Sequence, residues 1–308
     1  MTQHQSLWSD AYDNSKSIGG SDAFVERWEE EARTFRQQLA RENRLRLDLA
    51  YGSGLREQYD FFLPHSDARG LVVFVHGGYW MRMHRHYFSH LAAGACERGW
   101  AVAMPSYDLC PEISIAGIAK QVAAAITHAT EQAEVESKAV RLVGHSAGGH
   151  LVTRMVSANS QTDSGSTNIS EDRSASDKTS LDSAPTFLLN PQIRQRIEHV
   201  VSVSGLHDLR PLLATQMNET LSMDLNTAAT ESPALLLPLA GLQLTCWVGN
   251  DELPELKRQS ALLANIWKGF DTHTAAIAEP AKHHFDVIEG LANKTSPLVD
   301  CLLKPINR

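Results

Sequence analysis

Cysteine is scarce in this sequence, and no two cysteines stand close together. The four are Cys96, Cys110, Cys246 and Cys301, and no CxxC pair occurs among them. This spacing is unlike a disulfide framework or a zinc site and favours free thiols in a reducing compartment. We therefore expect a cytoplasmic protein without disulfide bonds.

Long apolar runs and a basic excess are also missing. No segment approaches the ~20 apolar residues of a membrane-spanning helix, and the best stretch, 234–242, contains Pro238. The first residues lack the apolar core of a signal peptide. The 28 Lys and Arg against 36 Asp and Glu give a formal charge of −8, which disfavours nucleic acid and anionic membranes as partners. We expect a small-molecule partner, and a homodimer is compatible with the sequence.

Short apolar runs alternate with helical stretches along most of the chain. The runs resemble buried parallel strands and lie at 71–75, 100–105, 140–144, 199–205 and 244–249. Helical periodicity appears between them at 86–98, 114–133 and 147–158. This alternation predicts an α/β fold with a mostly parallel central sheet and helices on both faces. The 308 residues are within reach of a single domain of this kind.

Two segments depart from the alternation. Residues 1–45 are a predicted N-terminal helical extension, with an apolar stripe of Phe24, Trp28, Ala32, Phe35 and Leu39. Residues 157–186 are rich in serine and have few apolar side chains. Such a segment cannot bury enough surface to fold alone, so we interpret it as a flexible insertion, and a solvated loop is favoured over a mobile lid.

The clearest chemical signal is the G-x-S-x-G pentapeptide at 144–148. It follows a predicted strand and precedes a predicted helix, as a nucleophile elbow requires. A phosphate-binding loop would need Lys followed by Ser or Thr, but His150 and Leu151 stand there. We therefore interpret Ser146 as a nucleophile whose hydroxyl projects above the carboxyl edge of the sheet.

The sequence HGGYW at 76–80 follows another predicted strand. A glycine pair lets backbone N–H groups point into a site, where acyl transfer needs donors for the developing oxyanion. The matching element of other hydrolases with this elbow has the form HGGG, so a tyrosine replaces the third glycine here. We predict that Gly78, Tyr79 and Ala147 form the oxyanion hole, and that His76 orients the loop without acting as a catalyst.

The general base is expected in a loop near the C-terminus, after the acid in chain order. His283 and His284 follow a predicted strand at 273–279. We favour His284, because the next residues lead into a predicted helix, and keep His283 as the alternative.

The acid is expected at the end of the preceding strand. Asp251 and Glu252 are adjacent there, and the usual turn places the acid three residues after the strand-ending Gly249. This spacing favours Glu252; Asp251 stays open, and Asp208 is a more distant candidate.

The combination of Ser146, Glu252 and His284 predicts an acyl-enzyme mechanism that requires no metal or redox cofactor. His84, His86 and His90 lie close together, but no carboxylate nearby in the sequence completes a set of metal ligands. We interpret these histidines as surface or pocket-rim residues and expect no metal site.

With these residues in place, the sequence resembles the arylformamidase (kynurenine formamidase) branch of the α/β-hydrolases. The similarity is carried by HGGYW at 76–80, YDLCP at 107–111 and KHHFDVIEGL at 282–291. It spans about 60–300 apart from the serine-rich insertion. The family's acid stands two residues before a Pro-Glu pair, which is position 252 here, where the family usually has Asp. This departure keeps both Asp251 and Glu252 open.

The resemblance implies an α/β-hydrolase that splits N-formyl-kynurenine into kynurenine and formate during tryptophan catabolism. Tyr79 and Trp80 would then stack on the aryl ring of the substrate, or else pack in the core. Residues 207–235 would form a small helical cap, with Met217 and Asn218 lining the pocket.

A short-acyl carboxylesterase with the same machinery is the alternative function. A catalytically inactive hydrolase that serves as a binding module is disfavoured, because candidates for all three catalytic residues are present.

Overall fold

An eight-stranded sheet forms the centre of the molecule. The computed structural model describes residues 3–159 and 185–305, with side chains from residue 7 onward. The strands of the chain are β1 (Leu45–Ala50), β2 (Gln58–Phe62), β3 (Gly70–Val75), β4 (Ala101–Pro105), β5 (Ala139–His145), β6 (Ser157–Ala158), β7 (Ile197–Val203), β8 (Leu237–Pro238), β9 (Leu242–Gly249) and β10 (Thr272–Glu279). The order in the sheet is β1-β2-β4-β3-β5-β7-β9-β10.

Six neighbouring strands of this sheet, β4 to β10 in that order, run parallel. Strand β2 pairs antiparallel with β4, and β1 pairs antiparallel with β2. The predicted α/β fold with a mostly parallel sheet is therefore confirmed. Because the six strands are parallel, their carboxyl ends meet at one edge, which is where sites form in open α/β sheets.

Helices cover both faces of the sheet. They are α1 (Gln3–Tyr12), α2 (Asn14–Ser17), α3 (Ser21–Arg41), α4 (Ala93–Glu97), α5 (Ile115–Thr130), α6 (Ala147–Arg154), α7 (Pro191–Arg196), α8 (Asn218–Leu221), α9 (Leu225–Thr230), α10 (Pro254–Trp267) and α11 (Pro297–Leu303). None of the helices within the described ranges has both the length and the apolar character needed to cross a membrane.

The continuous apolar sequence of β3 shows how both faces are buried. Leu71, Val73 and Val75 belong to one core layer, together with residues of α5, α6 and α10. Val72 and Phe74 belong to the opposite layer, together with residues of α3, α4 and α11. Side chains alternate between faces along a strand, so a strand covered on both sides needs apolar residues at every position.

The region predicted as a helix at 86–98 does not form one continuous helix. It contains two 3₁₀ turns, Arg85–Tyr87 and Ser89–Ala92, before the short helix α4. Phe88 lies between the turns with φ −117° and ψ 3°, and its ring is buried. Burying this ring requires the chain to turn at Phe88, which interrupts a continuous helix. The segment Val287–Ala292, also predicted as a helix, is likewise 3₁₀.

The N-terminal extension is attached to the body of the protein by a buried hydrogen bond. Tyr12 Oη at the end of α1 donates to Glu255 Oε1 on α10 over 2.6 Å. Helix α3 follows with Trp28, Ala32 and Leu39 buried, and with Phe24 and Phe35 half-buried against the same core layer. These are the residues of the apolar stripe predicted from the sequence.

The ends of the serine-rich insertion are paired. Strand β6 pairs antiparallel with β8, and Asn159 forms a bridge with Thr186. Residues 160–184, which make up most of the predicted insertion at 157–186, lie outside the described residues. All four cysteines are free, in agreement with their spacing.

Candidate active site

Ser146 lies at the tight turn between β5 and α6. Its backbone adopts φ 56° and ψ −118°, an uncommon conformation for a residue other than glycine. Its N–H donates to the carbonyl of Val203 over 2.8 Å, which ties the turn to β7. A Cβ on Gly148 would lie 2.0 Å from the Val75 carbonyl oxygen, so this position has room only for glycine. The turn has the features of the predicted elbow.

His284 and Glu252 meet at the same edge of the sheet. His284 Nδ1 donates to Glu252 Oε2 over 2.8 Å, and both side chains are buried. Glu252 Oε1 accepts from Ser204 Oγ at 2.5 Å and from the Gly249 N–H at 2.8 Å. Because the proton is on Nδ1, the Nε2 atom of His284 carries the lone pair that a general base needs.

His145 supports this arrangement from the elbow itself. Its Nε2 donates to the backbone carbonyl of His284 over 2.9 Å, and the two ring centroids are 4.7 Å apart. Burial and the neighbouring His284 hold the pKa of His145 well below its usual range. His145 is therefore neutral, and it fixes the backbone that carries His284.

The alternative acids and base lie elsewhere. Asp251 is exposed, and Asp208 is paired with Arg210 at 2.8 Å. His283 Nδ1 accepts from the Phe285 N–H over 3.2 Å, so it is engaged in a local turn. Of the candidates considered from the sequence, the structure brings together Glu252 and His284.

The HGGYW loop packs directly against the elbow. A Cβ on Gly77 would lie 2.8 Å from the carbonyl oxygen of His145. Gly78 has φ 115°, a region that favours glycine, and a Cβ there would lie 2.1 Å from the Arg82 carbonyl oxygen. Gly78 and Tyr79 line the space in front of Ser146, and Ala147 is the first residue of α6. The structure thus places Gly78 and Tyr79 beside the space in front of Ser146, and Ala147 directly after Ser146 in the chain.

His76 lies beneath this loop, fully buried. Its ring stacks between Phe88 and Tyr107 at centroid distances of 5.8 and 4.4 Å, and its Nδ1 donates to the Gly77 carbonyl over 2.7 Å. Burial lowers the pKa of His76 to about 3, so it stays neutral. This placement suits the loop-orienting role expected for it.

The two aromatic residues of the loop have different environments. Trp80 is fully buried and packs edge-on against His150 at 5.2 Å, so its indole does not reach the space in front of Ser146. The expectation that Trp80 stacks on a substrate is corrected to core packing. Tyr79 is half-buried; its Oη donates to the Tyr12 carbonyl at 2.8 Å and accepts from Asn14 Nδ2 at 3.2 Å.

Two cavities share Tyr79 and Arg82 as lining residues. The inner cavity, of about 30 Å³, contacts Ser146 and His284. Its other lining residues are Trp28, Gly77, Gly78, Tyr79, Arg82, Met83, Phe88, His145 and Phe285. The outer cavity, of about 380 Å³, is lined by Ser9, Tyr12, Asp13, Ser15, Tyr79, Met81, Arg82, Gln216, Met217 and Thr220.

The predicted cap at 207–235 contributes to the outer cavity and is absent from the lining of the inner one. It contains short helices only, among them α8, α9 and the 3₁₀ turn Arg210–Ala214. Met217 lines the outer cavity as expected, but the Asn218 side chain bonds the backbone N–H and carbonyl of Met223. Aromatic side chains from α3 and from the loops around residues 88 and 285 close the inner cavity instead.

Among the residues that the structure describes, one group of potential metal ligands lies away from this site. Asp48, Asp60 and His86 bring ligand atoms within 4.8 Å of one another, although no carboxylate lies near His86 in the sequence. The expectation that no carboxylate joins this histidine is therefore corrected, because β1 and β2 carry the two aspartates to it. Arg85 already forms an ion pair with each of them, at 2.9 Å for Asp60, and supplies the positive charge there.

The sequence reasoning missed several side chains of the site. Ser204 donates a hydrogen bond to Glu252, and its only sequence signal was a polar residue at the end of a predicted strand. Trp28 was assigned to an apolar stripe, with no signal that it reaches the nucleophile. Arg82 and Asp13 line the outer cavity, and their sequence contexts are unremarkable.

Comparison with known proteins identifies hydrolase relatives of this chain. The sequence profile of the BD-FAE family matches residues 59–238. Kynurenine formamidases from Danio rerio and Salmo salar are 27% and 26% identical, each alignment covering 85% of this chain and 82% of the relative. The crystal structure of a Silicibacter protein, provisionally assigned as a thioesterase, is 40% identical with a TM-score of 0.81, over 96% of this chain and 98% of that one. The predicted resemblance to arylformamidases is confirmed.

Proposed function

Since the chain belongs to the BD-FAE family of α/β-hydrolases, which matches residues 59–238, we propose that it is a serine hydrolase of aryl formamides. Its substrate in this proposal is N-formyl-kynurenine, and its products are kynurenine and formate. Kynurenine formamidases that align over 85% of the chain support this substrate.

The observation that carries the proposal is the size of the inner cavity. About 30 Å³ is available beside Ser146, roughly the space of one or two water molecules. The rings of Trp28, Phe88 and Phe285 form its walls. A formyl group is the smallest acyl group, so this space suits the acyl side of a formamide better than a longer acyl chain.

The proposed first step is attack by Ser146 Oγ on the formyl carbon while His284 Nε2 takes the hydroxyl proton. Glu252 holds the Nδ1 proton over 2.8 Å and stabilises the imidazolium that forms. The carbonyl oxygen becomes an oxyanion and accepts hydrogen bonds from backbone N–H groups of the elbow and the HGGYW loop. Preorganised donors of this kind are typically worth about 3 kcal/mol each in transition-state stabilisation.

In the second step His284 gives its proton to the leaving amine as the C–N bond breaks. Kynurenine departs, and a formyl ester on Ser146 remains. Water then attacks this ester with His284 as base, and formate leaves as the Ser146 hydroxyl is restored. The chain's own residues supply every proton transfer in this cycle.

A short-acyl carboxylesterase is the second candidate, since the same groups attack an ester carbonyl. The 40% identical Silicibacter relative, with its provisional thioesterase assignment, makes a thioester a third substrate to compare.

The proposal is tested by comparing kcat/KM on N-formyl-kynurenine, p-nitrophenyl acetate and acetyl-CoA with purified protein. Ser146→Ala serves as the blank, and its fold is checked by circular dichroism. We expect the formamide to be preferred at least tenfold over both other substrates and Ser146→Ala to lose about a thousandfold or more in rate.

Ester or thioester cleavage without formamide turnover would assign the protein to another substrate class. A loss of only a few-fold in folded Ser146→Ala would contradict the serine mechanism.

A further inference from the structure

Two charged side chains that line the outer cavity have no ion-pair partner among the described residues. Arg82 and Asp13 both line it, and neither forms an ion pair within the described ranges 3–159 and 185–305. The Arg82 guanidinium instead lies over the Tyr79 ring, 5.2 Å from its centroid. An unpaired cation and an unpaired anion on the walls of one cavity are available to a ligand that carries both charges.

Local structure holds each charge in place. Asp13 Oδ1 caps α2 by accepting from Ser15 Oγ at 2.6 Å and from the Lys16 N–H at 3.0 Å. Partial burial opposes ionisation, but these hydrogen bonds lower the pKa of Asp13 overall, so it is charged at neutral pH. The Arg82 backbone N–H donates to the Gly78 carbonyl at 3.0 Å, and the guanidinium packs on the Tyr79 ring. A guanidinium is always charged in proteins.

The position of the cavity suits the leaving group of the reaction. Tyr79 and Arg82 line both cavities, so the outer cavity adjoins the space in front of Ser146 and lies where the rest of a substrate bound there could extend. Its volume of about 380 Å³ is within the ordinary range for small-molecule sites.

We propose that the outer cavity binds the zwitterionic amino-acid end of the leaving group, with Arg82 pairing with its carboxylate and Asp13 with its ammonium group. The fork of a guanidinium matches a carboxylate with two parallel hydrogen bonds. Arg82 and Asp13 are then specificity-determining residues. The assignment rests on the proposed function for its formamide substrate, but it applies equally to an ester with such a leaving group.

The test measures selectivity, defined as kcat/KM for a zwitterionic substrate divided by kcat/KM for a neutral analogue. One pair is N-formyl-kynurenine and 2-formamidoacetophenone, and the other is O-acetyltyrosine and 4-methylphenyl acetate. We expect Arg82→Gln and Asp13→Asn each to lower the selectivity about tenfold, because each removes a charge-assisted contact. Asn remains a good helix cap, so Asp13→Asn preserves α2.

Two further esters assign each charge separately. For 3-(4-acetoxyphenyl)propanoate, which lacks the ammonium group, only Arg82→Gln should lower the selectivity over 4-methylphenyl acetate. For O-acetyltyramine, which lacks the carboxylate, only Asp13→Asn should lower it. The matched controls are Arg33→Gln and Asp67→Asn, exposed positions outside the cavity lining, which should leave every ratio within twofold of the parent.

Selectivity that stays within twofold of the parent in both Arg82→Gln and Asp13→Asn, on both substrate pairs, would overturn this assignment. A protein that cleaves only esters, with selectivity that depends on Arg82 and Asp13, would instead refute the formamide substrate and support the outer-cavity assignment.

Discussion

At the scale of single residues, hydrogen bonds distinguish Glu252 from Asp251 as the predicted acid. Glu252 accepts from Ser204, from the Gly249 N–H and from His284. Three donors on one buried carboxylate both stabilise its charge and fix its orientation towards the imidazole. Asp251 is the neighbouring residue in the chain, yet it is exposed.

Glu252→Gln should therefore lower kcat about a thousandfold or more, whereas Asp251→Asn should change it by less than about threefold. An amide at position 252 no longer holds His284 in the required tautomer, which is costly in serine hydrolases generally. Steady-state kinetics on the preferred substrate measures both variants, with unfolding curves to show that each is folded. Equal losses in the two variants, or the reverse order, would contradict the assignment of the acid.

Ser204→Ala removes one donor from Glu252 and leaves two. We expect kcat to fall about tenfold, with KM changed by less than about twofold, because the hydroxyl orients the acid and does not line either cavity. A rise in KM with an unchanged kcat would show that Ser204 acts through substrate binding instead.

At the scale of elements, the site depends on how closely β5, α6 and the end of β3 approach one another. Gly148 in the first turn of α6 faces the Val75 carbonyl at the end of β3. The distance available to a side chain there is shorter than any van der Waals contact. The G-x-S-x-G pattern is thus a packing requirement as well as a local turn requirement.

Gly148→Ala should lower the free energy of unfolding by about 2 kcal/mol or more, because a Cβ 2.0 Å from a backbone oxygen forces the elements apart. Urea denaturation measures the change. Gly269→Ala is the matched control: its Cβ would lie 3.4 Å from the Ile266 carbonyl oxygen, an ordinary contact, so we expect a change below about 1 kcal/mol. Similar stabilities for the two variants would show that the elbow tolerates the methyl group.

At the scale of the whole molecule, the fold buries several histidines in neutral form. Burial lowers the pKa of four fully buried histidines to about 3: His76, His150, His199 and His207. In the unfolded chain the pKa of histidine is about 6.5. Between these two pH values the unfolded state binds protons that the folded state does not.

Stability should therefore fall as the pH decreases from about 6.5 towards 3, and it should be fully retained above that window. Urea midpoints measured at pH 8, 7, 6 and 5 test this expectation. His199→Gln should reduce the pH dependence of the free energy of unfolding by the contribution of about one proton, which is ~1.4 kcal/mol per pH unit. His65→Gln, at an exposed position, is the control. A parent protein with constant stability from pH 7 to 5 would contradict the prediction.

Much of the fold and the placement of the central site residues could be predicted from local patterns. The strands of the parallel sheet could be predicted to within two residues of their observed ends, because buried parallel strands need apolar residues on both faces. The break at Phe88 was not predictable in this way, since it follows from the burial of one ring among Trp28, Phe74 and His76.

The side chains around Ser146 could not be predicted from local patterns. Trp80 has the same short-range context as Tyr79, yet it packs in the core while Tyr79 lines both cavities. Asp48 and Asp60 join His86 only because the two antiparallel strands extend the sheet to it. These outcomes depend on contacts between residues far apart in the chain.

The sequence by itself determined the strand–Ser146–helix turn, the parallel strands and the chain order of serine, acid and histidine, because each depends on local patterns along the chain. Only the tertiary structure decided that Glu252 and not Asp251 faces His284, that α3 closes the inner cavity, and that Arg82 and Asp13 share the outer one. The physical reason is that parallel strands bring distant loops together at one edge of the sheet, where packing selects which side chains remain accessible.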